Sequence, residues 1–468
     1  MKKTLLHILV GIGLQSYTQN SFDAVRINSY EDLGTARSMG MAGSFGALGM
    51  GPQGFQINPA NASNSSSSYI SITPYVGITT SAGENFGYVN AKGNFNLSDL
   101  SIMINSGKKT SLFFSMNHQS DFHQELSSGY NGSLINHWNQ GANSLGLTEA
   151  DQIYSALPFG AGLAYDTYLL DFDNDNLNFT QITNDVTSQS RTFESRGHKR
   201  NLTFGFSQKM SDAFKFGMSL NLAKYRYHQT IDYSEQNSTT INNFNRFTLA
   251  EQASSRGNGV NIKVGVASKL GRLLRLSFAY QTPTVYNFSD TWKNRVNSYF
   301  YDETTYSSEM EGSFDYYYVS PQKVDLGLGI SLLKSLAINV DYSLLDHSTS
   351  LFVSKNSAYN LSSINEEVQQ ELTLSQHLRL GSELRLGNTY LRGGIAYQTS
   401  PYSDAEGNGD QLSWGLGIGF NYSKHRFDIG VMNRERRENV YDYAPYTGER
   451  TVLKVNETKI ACTWQVRF

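Results

Sequence analysis

The sequence predicts an all-β chain, a closed antiparallel transmembrane β-barrel of about fourteen strands of the outer-membrane kind. Three observations carry that expectation. Apolar residues recur with period two in segments of about 9 to 11 residues, long enough to cross a bilayer when tilted. Short connections alternate with long polar ones, the asymmetry of tight periplasmic turns and large extracellular loops. The composition, with 29 Tyr, 26 Phe and 41 Gly against 8 Pro and a negative mean hydropathy, is aromatic yet polar on average. Such averages arise when lumen-facing and lipid-facing residues alternate and cancel in any window.

The N-terminus, MKKTLLHILVGIGLQSYTQN, opens with two lysines and an apolar stretch from Leu5 to Leu14. It reads as a signal peptide over residues 1–19, because that stretch is too short to span a bilayer as a helix. No cysteine follows it, so no lipoprotein-type anchor is expected. Residues 69–78, 88–104 and 111–117 supply the first three strands. From Asn201 onward the alternation is continuous, beginning with Leu202, Phe204 and Phe206 and then Phe214, Phe216, Met218, Leu220 and Leu222. Val260, Ile262, Val264 and Val266 precede the turn KLGR, and Leu274, Leu276, Phe278 and Tyr280 follow it. The rows led by Val324, Leu336, Leu378, Leu391, Trp414 and Phe427 continue the pattern. In the last strand Ile460, Cys462, Trp464, Val466 and Phe468 take one face, and Lys459, Ala461, Thr463, Gln465 and Arg467 the other.

Residues 119–189, 229–256, 284–317 and 345–372 are read as the long extracellular loops. A soluble β-sandwich would also alternate, but it would not keep short turns on one side and long segments on the other. Closure is required because an open sheet edge in hydrocarbon leaves amides unpaired. An even strand count places both chain ends in the periplasm.

Several chemistries are excluded or left without support. A net charge of -3 with no basic run argues against nucleic acid. The single cysteine, Cys462, rules out an internal disulfide or a cysteine-based metal cluster. Gly49, Gly51 and Gly54 spell G-x-G-x-x-G, but Pro52 interrupts the loop and INPA stands where a helix should begin. No acidic residue lies at the ribose position, so a dinucleotide site is not expected. Glycines 40, 43, 46 and 49 instead recur every three residues, as a backbone that must approach its surroundings closely requires. DFDNDN (171–176) resembles the start of a calcium loop but has Asn176 and Ile182 where glycine and glutamate are needed. His118 and His123 read as loop residues, and DYYYV (315–319) as part of an aromatic girdle. No Ser-His-carboxylate arrangement, cofactor site or metal site emerges, and the chain is not read as an enzyme.

The motifs GTARSMGMAGSFGALG (34–49), INPA (57–60), LAYDTYLLD (163–171), SFAYQTPT (277–284), INVDYSLLD (338–346) and LRGGIAYQTSPY (391–402) run in order along the chain. On these residues it resembles the FadL/TodX-type outer-membrane transporters of hydrophobic compounds, in the form found in Bacteroidota. The resemblance implies a 14-stranded barrel over residues 67–468 with an N-terminal hatch, or plug, over residues 20–66 inside the lumen. It also implies passive uptake of hydrophobic molecules, long-chain fatty acids foremost, through an extracellular groove, a lumenal pocket and release as the hatch moves.

By position, Leu157, Phe159, Leu163, Leu169 and Leu170 are the groove candidates. Phe45, Leu48, Phe55 and Ile57, with Asn58, Pro59 and Ala60 of the NPA element, are the hatch candidates. The lumen-facing charges are expected to pair with one another and with the hatch. Arg379, Arg385 and Arg392 are candidates to bind a fatty-acid carboxylate, because guanidinium presents a fork matched to two carboxylate oxygens. Expected partners are outer-membrane lipids, a hydrophobic small molecule, and the barrel-assembly machinery reading the strand that ends in Phe468. The alternative is a FadL-like structural subunit of a Bacteroidota protein secretion or barrel-assembly complex, with a protein partner and no transport of its own.

Overall fold

The computed structural model describes residues 20–468 except 32–33, 50, 66, 84–88, 185–186, 238–242, 333–334, 404–408 and 444–446. The signal-peptide reading of residues 1–19 therefore lies outside the described residues.

The period-two segments build a closed antiparallel barrel of fourteen staves. β1 (Tyr69–Gly83) and β2 (Val89–Ser106) are the first two, and β3 (Thr110–Asp121) continues into β4 (Gln124–Gly132) as the third. β5 (Leu170–Asp173) and β6 (Asn178–Gln181) form a separate hairpin in the following connection. β7 (Thr187–Lys209), β8 (Phe214–Asn237) and β9 (Phe244–Leu270) are single staves. The next three are interrupted once each: β10 (Leu274–Gln281) with β11 (Val285–Phe300), β12 (Thr305–Val319) with β13 (Lys323–Leu332), and β14 (Leu336–Asp346) with β15 (Leu351–Ser354). β16 (Leu374–Leu386), β17 (Thr389–Gln398), β18 (Gln411–Tyr422), β19 (His425–Tyr443) and β20 (Thr447–Arg467) complete the wall. β20 pairs with β1, from Tyr69 opposite Arg467 upward, and closes it.

The outward faces carry the alternating apolar residues, among them Ile72, Leu380, Ile395, Leu416 and Trp464, all exposed. Their alternates, such as Ser71, Asn339 and Thr463, are buried toward the lumen. The KLGR turn falls where it is expected, between β9 and β10. In the turn between β16 and β17, Gly387 takes a φ of 63°, a conformation that costs glycine little.

Two of the expected loops, 229–256 and 284–317, are largely strand. β8 and β9 run for 24 and 27 residues, well over the 9 to 11 or so a bilayer needs, so they stand far above it. Their upper parts alternate tyrosine, serine, threonine and charge rather than apolar with polar. Outside the bilayer neither face is required to be greasy, so the sequence signature fades while the hydrogen-bond ladder continues. Of the expected loop 119–189, the stretch up to Gly132 is wall strand and the end belongs to β7, while the described residues between fold into a cap containing α4 (Leu134–Ser144), α5 (Ile153–Ala156) and α6 (Ala161–Asp166); 345–372 forms a second cap containing α7 (Ser362–Glu371). No helix among the described residues is long and apolar enough to cross a membrane.

The described residues of 20–65 lie inside the barrel and include α1 (Ser21–Asn28), α2 (Ala36–Met39), α3 (Pro52–Ile57) and a 3₁₀ turn over Pro59–Asn64. A short helix thus does begin at Pro52, contrary to the sequence reading, with proline at its first turn, where no amide hydrogen bond is lost.

Candidate functional site: a hatch, an aromatic chamber and a split wall

The hatch is bound to the wall by polar groups from nearly every side. Asp341 accepts the amides of Phe45 and Gly46 at 2.7 and 2.8 Å, and Asn339 accepts those of Ala47 and Leu48 at 3.1 Å. Arg37 donates to Glu383 at 2.6 and 2.7 Å; Glu383 also holds Arg392, which in turn pairs with Asp428 at 2.8 Å. Glu31 bridges Arg434, at 2.7 Å, and Lys459. Lys263 and Arg275 donate to the carbonyls of Gln56 and Leu48. The expected pairing of lumen charges with each other and with the hatch is what the geometry displays.

The candidate hatch residues occupy two packed clusters and one anchor. Phe45, Leu48 and Ile57 pack with Met41, and Phe55 stacks on Phe113 at 4.4 Å. Asn58 caps the amide of Ala60 through Oδ1 and donates through Nδ2 to the carbonyls of Val266 and Phe278, at 2.9 and 3.1 Å. Pro59 and Ala60 lie against Gly217 of β8.

Sequence reading missed the wall glycines. Gly217 sits opposite Gly265, and Gly381, Gly394 and Gly415 are cross-strand neighbours in one row. A Cβ at Gly265 would overlap Asn58 Oδ1, and one at Gly415 would overlap the carbonyl of Met39. Two small cavities beside the hatch have volumes of about 10 Å³ each, room for a single water.

Around α1, at the upper end of the hatch, the lumen is an aromatic chamber. Tyr225, Tyr227, Phe288, Tyr316, Tyr318 and Phe352 converge there, and α1 fills it with Ala24 and Ile27. Arg26 donates to Tyr225 Oη at 3.0 Å and lies 3.7 Å over the Tyr227 ring. The expected girdle role for DYYYV is corrected: Tyr316 and Tyr318 point inward and only Tyr317 is exposed. Three tyrosines in sequence must alternate between faces on a strand.

Beside the chamber the wall splits. β2 and β3 pair only from Ser106 opposite Thr110 up to Asp99 opposite Asn117. Above that level β2 pairs with β1 alone, while β3 and β4 pair with β7 alone. Each edge carries an extra residue where it departs, Ser98 on β2 and Gln119 on β3. Such bulges bend a strand and end its pairing.

Side chains bridge the split where the backbone does not. Asn94 donates to Asp121, Arg200 donates to Asn96 at 2.5 Å, and Lys92 pairs with Glu194 and, at 3.6 Å, with Glu125. The hatch docks on both edges: Ser98 Oγ donates to the Gly34 carbonyl at 2.5 Å, and the amide of Glu31 donates to the Gln119 carbonyl at 2.7 Å. His118, expected in a solvated loop, is buried at this bend, 3.4 Å from Tyr75 Oη.

The groove candidates do not form one open surface. Leu163, Leu169 and Leu170 are buried in the core of the cap that holds α4 to α6, with Leu157 partly buried against it. Phe159 meets Trp292 edge to face at 5.9 Å. The three candidate arginines are likewise dispersed. Arg379 is buried beside Asp325 and Ser343, Arg392 is held by Glu383 and Asp428, and Arg385 is exposed next to the Gly387 turn. In DFDNDN, Asp173 accepts the amides of Asp175 and Asn176 as an ordinary turn cap, and no metal-binding cluster occurs among the described residues.

The cap closes on Glu235, at the top of β8. Its Oε1 accepts from the Leu134 amide, from Gln189 at 2.8 Å and from Tyr233 at 2.9 Å, while Oε2 is buried without a partner. Burial pushes this carboxyl up to about 7 from an ordinary 4.5. A raised carboxyl favours the folded cap when protonated. Its contribution is therefore complete below about pH 4.5 and is lost as pH rises through 7, by up to about 3 kcal/mol. Hydrogen exchange in α4, corrected for intrinsic rates, is expected to be slower at pH 5 than at pH 8, and Glu235→Gln is expected to remove that difference.

No family model and no curated protein matches this chain. Solved structures do. The toluene transporter TodX of P. putida aligns with a TM-score of 0.56 at 12% identity, covering 94% of this chain and 99% of that one. A Pseudomonas aeruginosa FadL homologue gives 0.59 at 12% identity over 93% and 98%. The Ralstonia pickettii toluene transporter TbuX gives 0.52 at 12% identity over 93% and 99%. This likeness, over nearly the full length of both chains, establishes the fold: a closed 14-stranded antiparallel β-barrel with a helical N-terminal segment, of the type those transporters have.

Proposed function

We propose that the protein is a passive channel of the Gram-negative outer membrane for hydrophobic compounds, with long-chain fatty acids the first to test. The observation that carries the reading is the coincidence of three parts at one height: an aromatic chamber filled by α1, a wall unpaired between β2 and β3, and a hatch tip hydrogen-bonded to both edges of that gap. A ligand entering through the cap would take the place of Ala24 and Ile27 in the chamber. Apolar burial supplies its affinity, at about 0.8 kcal/mol per methylene. Withdrawal of Ser29, Glu31 and Gly34 from the two edges would then leave only side-chain bridges across the gap, so exit is sideways and needs no energy source.

Ser29 Oγ lies 3.0 Å from Ser120 Oγ, so Ser29→Cys with Ser120→Cys can pin the hatch tip to the bent strand. Uptake of labelled oleate into cells lacking their own transporter is expected to fall to background when the pair is oxidised and to recover on reduction. Uptake indifferent to the cross-link would remove the gating role of the hatch. Absence of uptake together with stable co-purification of a large secretion or assembly component would favour the structural-subunit reading instead.

A further inference from the structure

The outward faces of β7, β8 and β9 change character abruptly at one height. Leu202, Leu222 and Val260 are cross-strand neighbours, apolar and exposed. The row above them is Arg200, Lys224 and Asn258; the next is His198, Arg226 and Arg256; the third is Arg196, His228 and Ser254. These three rows hold five permanent cations, two imidazoles and no carboxylate. Arg196, Lys224, Arg226 and Arg256 are exposed, whereas the alternating Ala223, Tyr225 and Tyr227 are buried in the lumen, so the cations project outward.

The patch is self-repelling as built. Arg200 stands opposite Lys224 and Arg226 opposite Arg256, and like charges directly opposite in a sheet are destabilising. Elsewhere on the wall, exposed cations do pair with carboxylates across neighbouring strands: Lys454 with Glu435 and Lys293 with Glu309, each at 3.0 Å. The acids at the margin of the patch are already engaged, Asp121 by Tyr75, Asn94 and His123, and Glu194 by Lys92. Arg200 Nε is buried without a hydrogen-bond partner.

Height decides what could satisfy this charge. β8 begins at Phe214 and reaches Leu222 in about nine residues, roughly the length that crosses the hydrocarbon when tilted. The cationic rows therefore begin at the headgroup level of the outer leaflet. We propose that this face is a binding site for the phosphate-bearing headgroup of an outer-leaflet lipid. Arg226 and Arg256 fork onto the phosphate oxygens, Lys224 adds a third charge, and the acyl chains lie on the apolar row below. Because Arg200 also bridges to Asn96, the bound lipid sits beside the wall split. The inference rests on the barrel lying in a bilayer and not on its carrying a ligand, so a barrel that transports nothing still tests it.

The test is native mass spectrometry of the full-length barrel in detergent, titrated with diphosphoryl lipid A, dephosphorylated lipid A or inorganic phosphate. Lys224→Gln, Arg226→Gln and Arg256→Gln together are expected to weaken retention of the phosphorylated lipid by about tenfold or more. Lys293→Gln, Arg295→Gln and Lys454→Gln together are expected to leave it unchanged. The first variant, freed of its repulsion, is expected to melt in lipid-free detergent no lower than the wild type, which establishes that it is folded. Equal retention by both variants, equal binding of the dephosphorylated lipid, or displacement by millimolar inorganic phosphate would each overturn the proposal.

Discussion

Glu383→Ala is expected to destabilise the closed hatch by about 3–5 kcal/mol, the cost of leaving buried cations without their partner. Glu383 accepts from Arg37 of the hatch and from Arg392 of β17 at 2.7 Å, and Arg426 approaches it at 3.6 Å. Its removal takes away the carboxylate that Arg37, Arg392 and Arg426 share, with Arg392 and Arg426 both over the Tyr390 ring and Asp428 the remaining acid for those two. Arg37→Met is expected to cost less, roughly 1.5–3 kcal/mol, because Glu383 keeps Arg392 and only the hatch link is lost. Hydrogen exchange of α2 and protease cleavage near Arg37 would measure both. Equal, small effects would mean that the network does not hold the hatch.

The fold was legible in the sequence wherever physics imposes a period. Within the bilayer every stave must be greasy outside and tolerate a packed polar interior, so Val324 to Leu332 or Ile460 to Phe468 could be placed on a face by inspection. Above the bilayer that constraint lapses. Tyr225, Tyr227 and Phe288 therefore belong to strands at positions read as ends of strands or as loops, and the chamber they build stayed hidden. The hatch was legible in part: glycines at 40, 43, 46 and 49 signal close approach, and Gly46 does lie against Asp341. The wall glycines that receive the hatch read in sequence only as small alternates, because period two says which face a residue takes and not what it meets there.

An apolar residue in a long loop reads the same whether it meets a ligand or the core of a cap; Leu169 is fully buried. The split left still less trace. A missing backbone ladder has no composition, and Ser98 and Gln119 are unremarkable residues in sequence. Pro74 was the available hint, since proline cannot donate to a ladder and favours irregular positions. It sits where β1 slips register opposite Ser98.

The glycine row gives the second large expected effect. Gly415→Leu is expected to leave the barrel folded and expel the hatch from its seat. The clash falls on the carbonyl of Met39 and the amide of Ala42, which are backbone atoms and cannot swing aside as a side chain would. Two structures compete to yield. β18 is fixed by continuous pairing with β17 and β19 along its length, whereas the hatch is held mainly by side-chain hydrogen bonds and ion pairs. The hatch should give way first. Single-channel conductance in planar bilayers, near zero with the hatch seated, is then expected to rise by about tenfold or more as the lumen of a barrel this wide opens to water. Gly393→Ala is the control, since a Cβ there meets only Leu416 Cδ2 at 3.8 Å. An unchanged conductance in folded Gly415→Leu would show that the wall bends around the hatch, and the glycine row would then be a packing convenience with no part in closure.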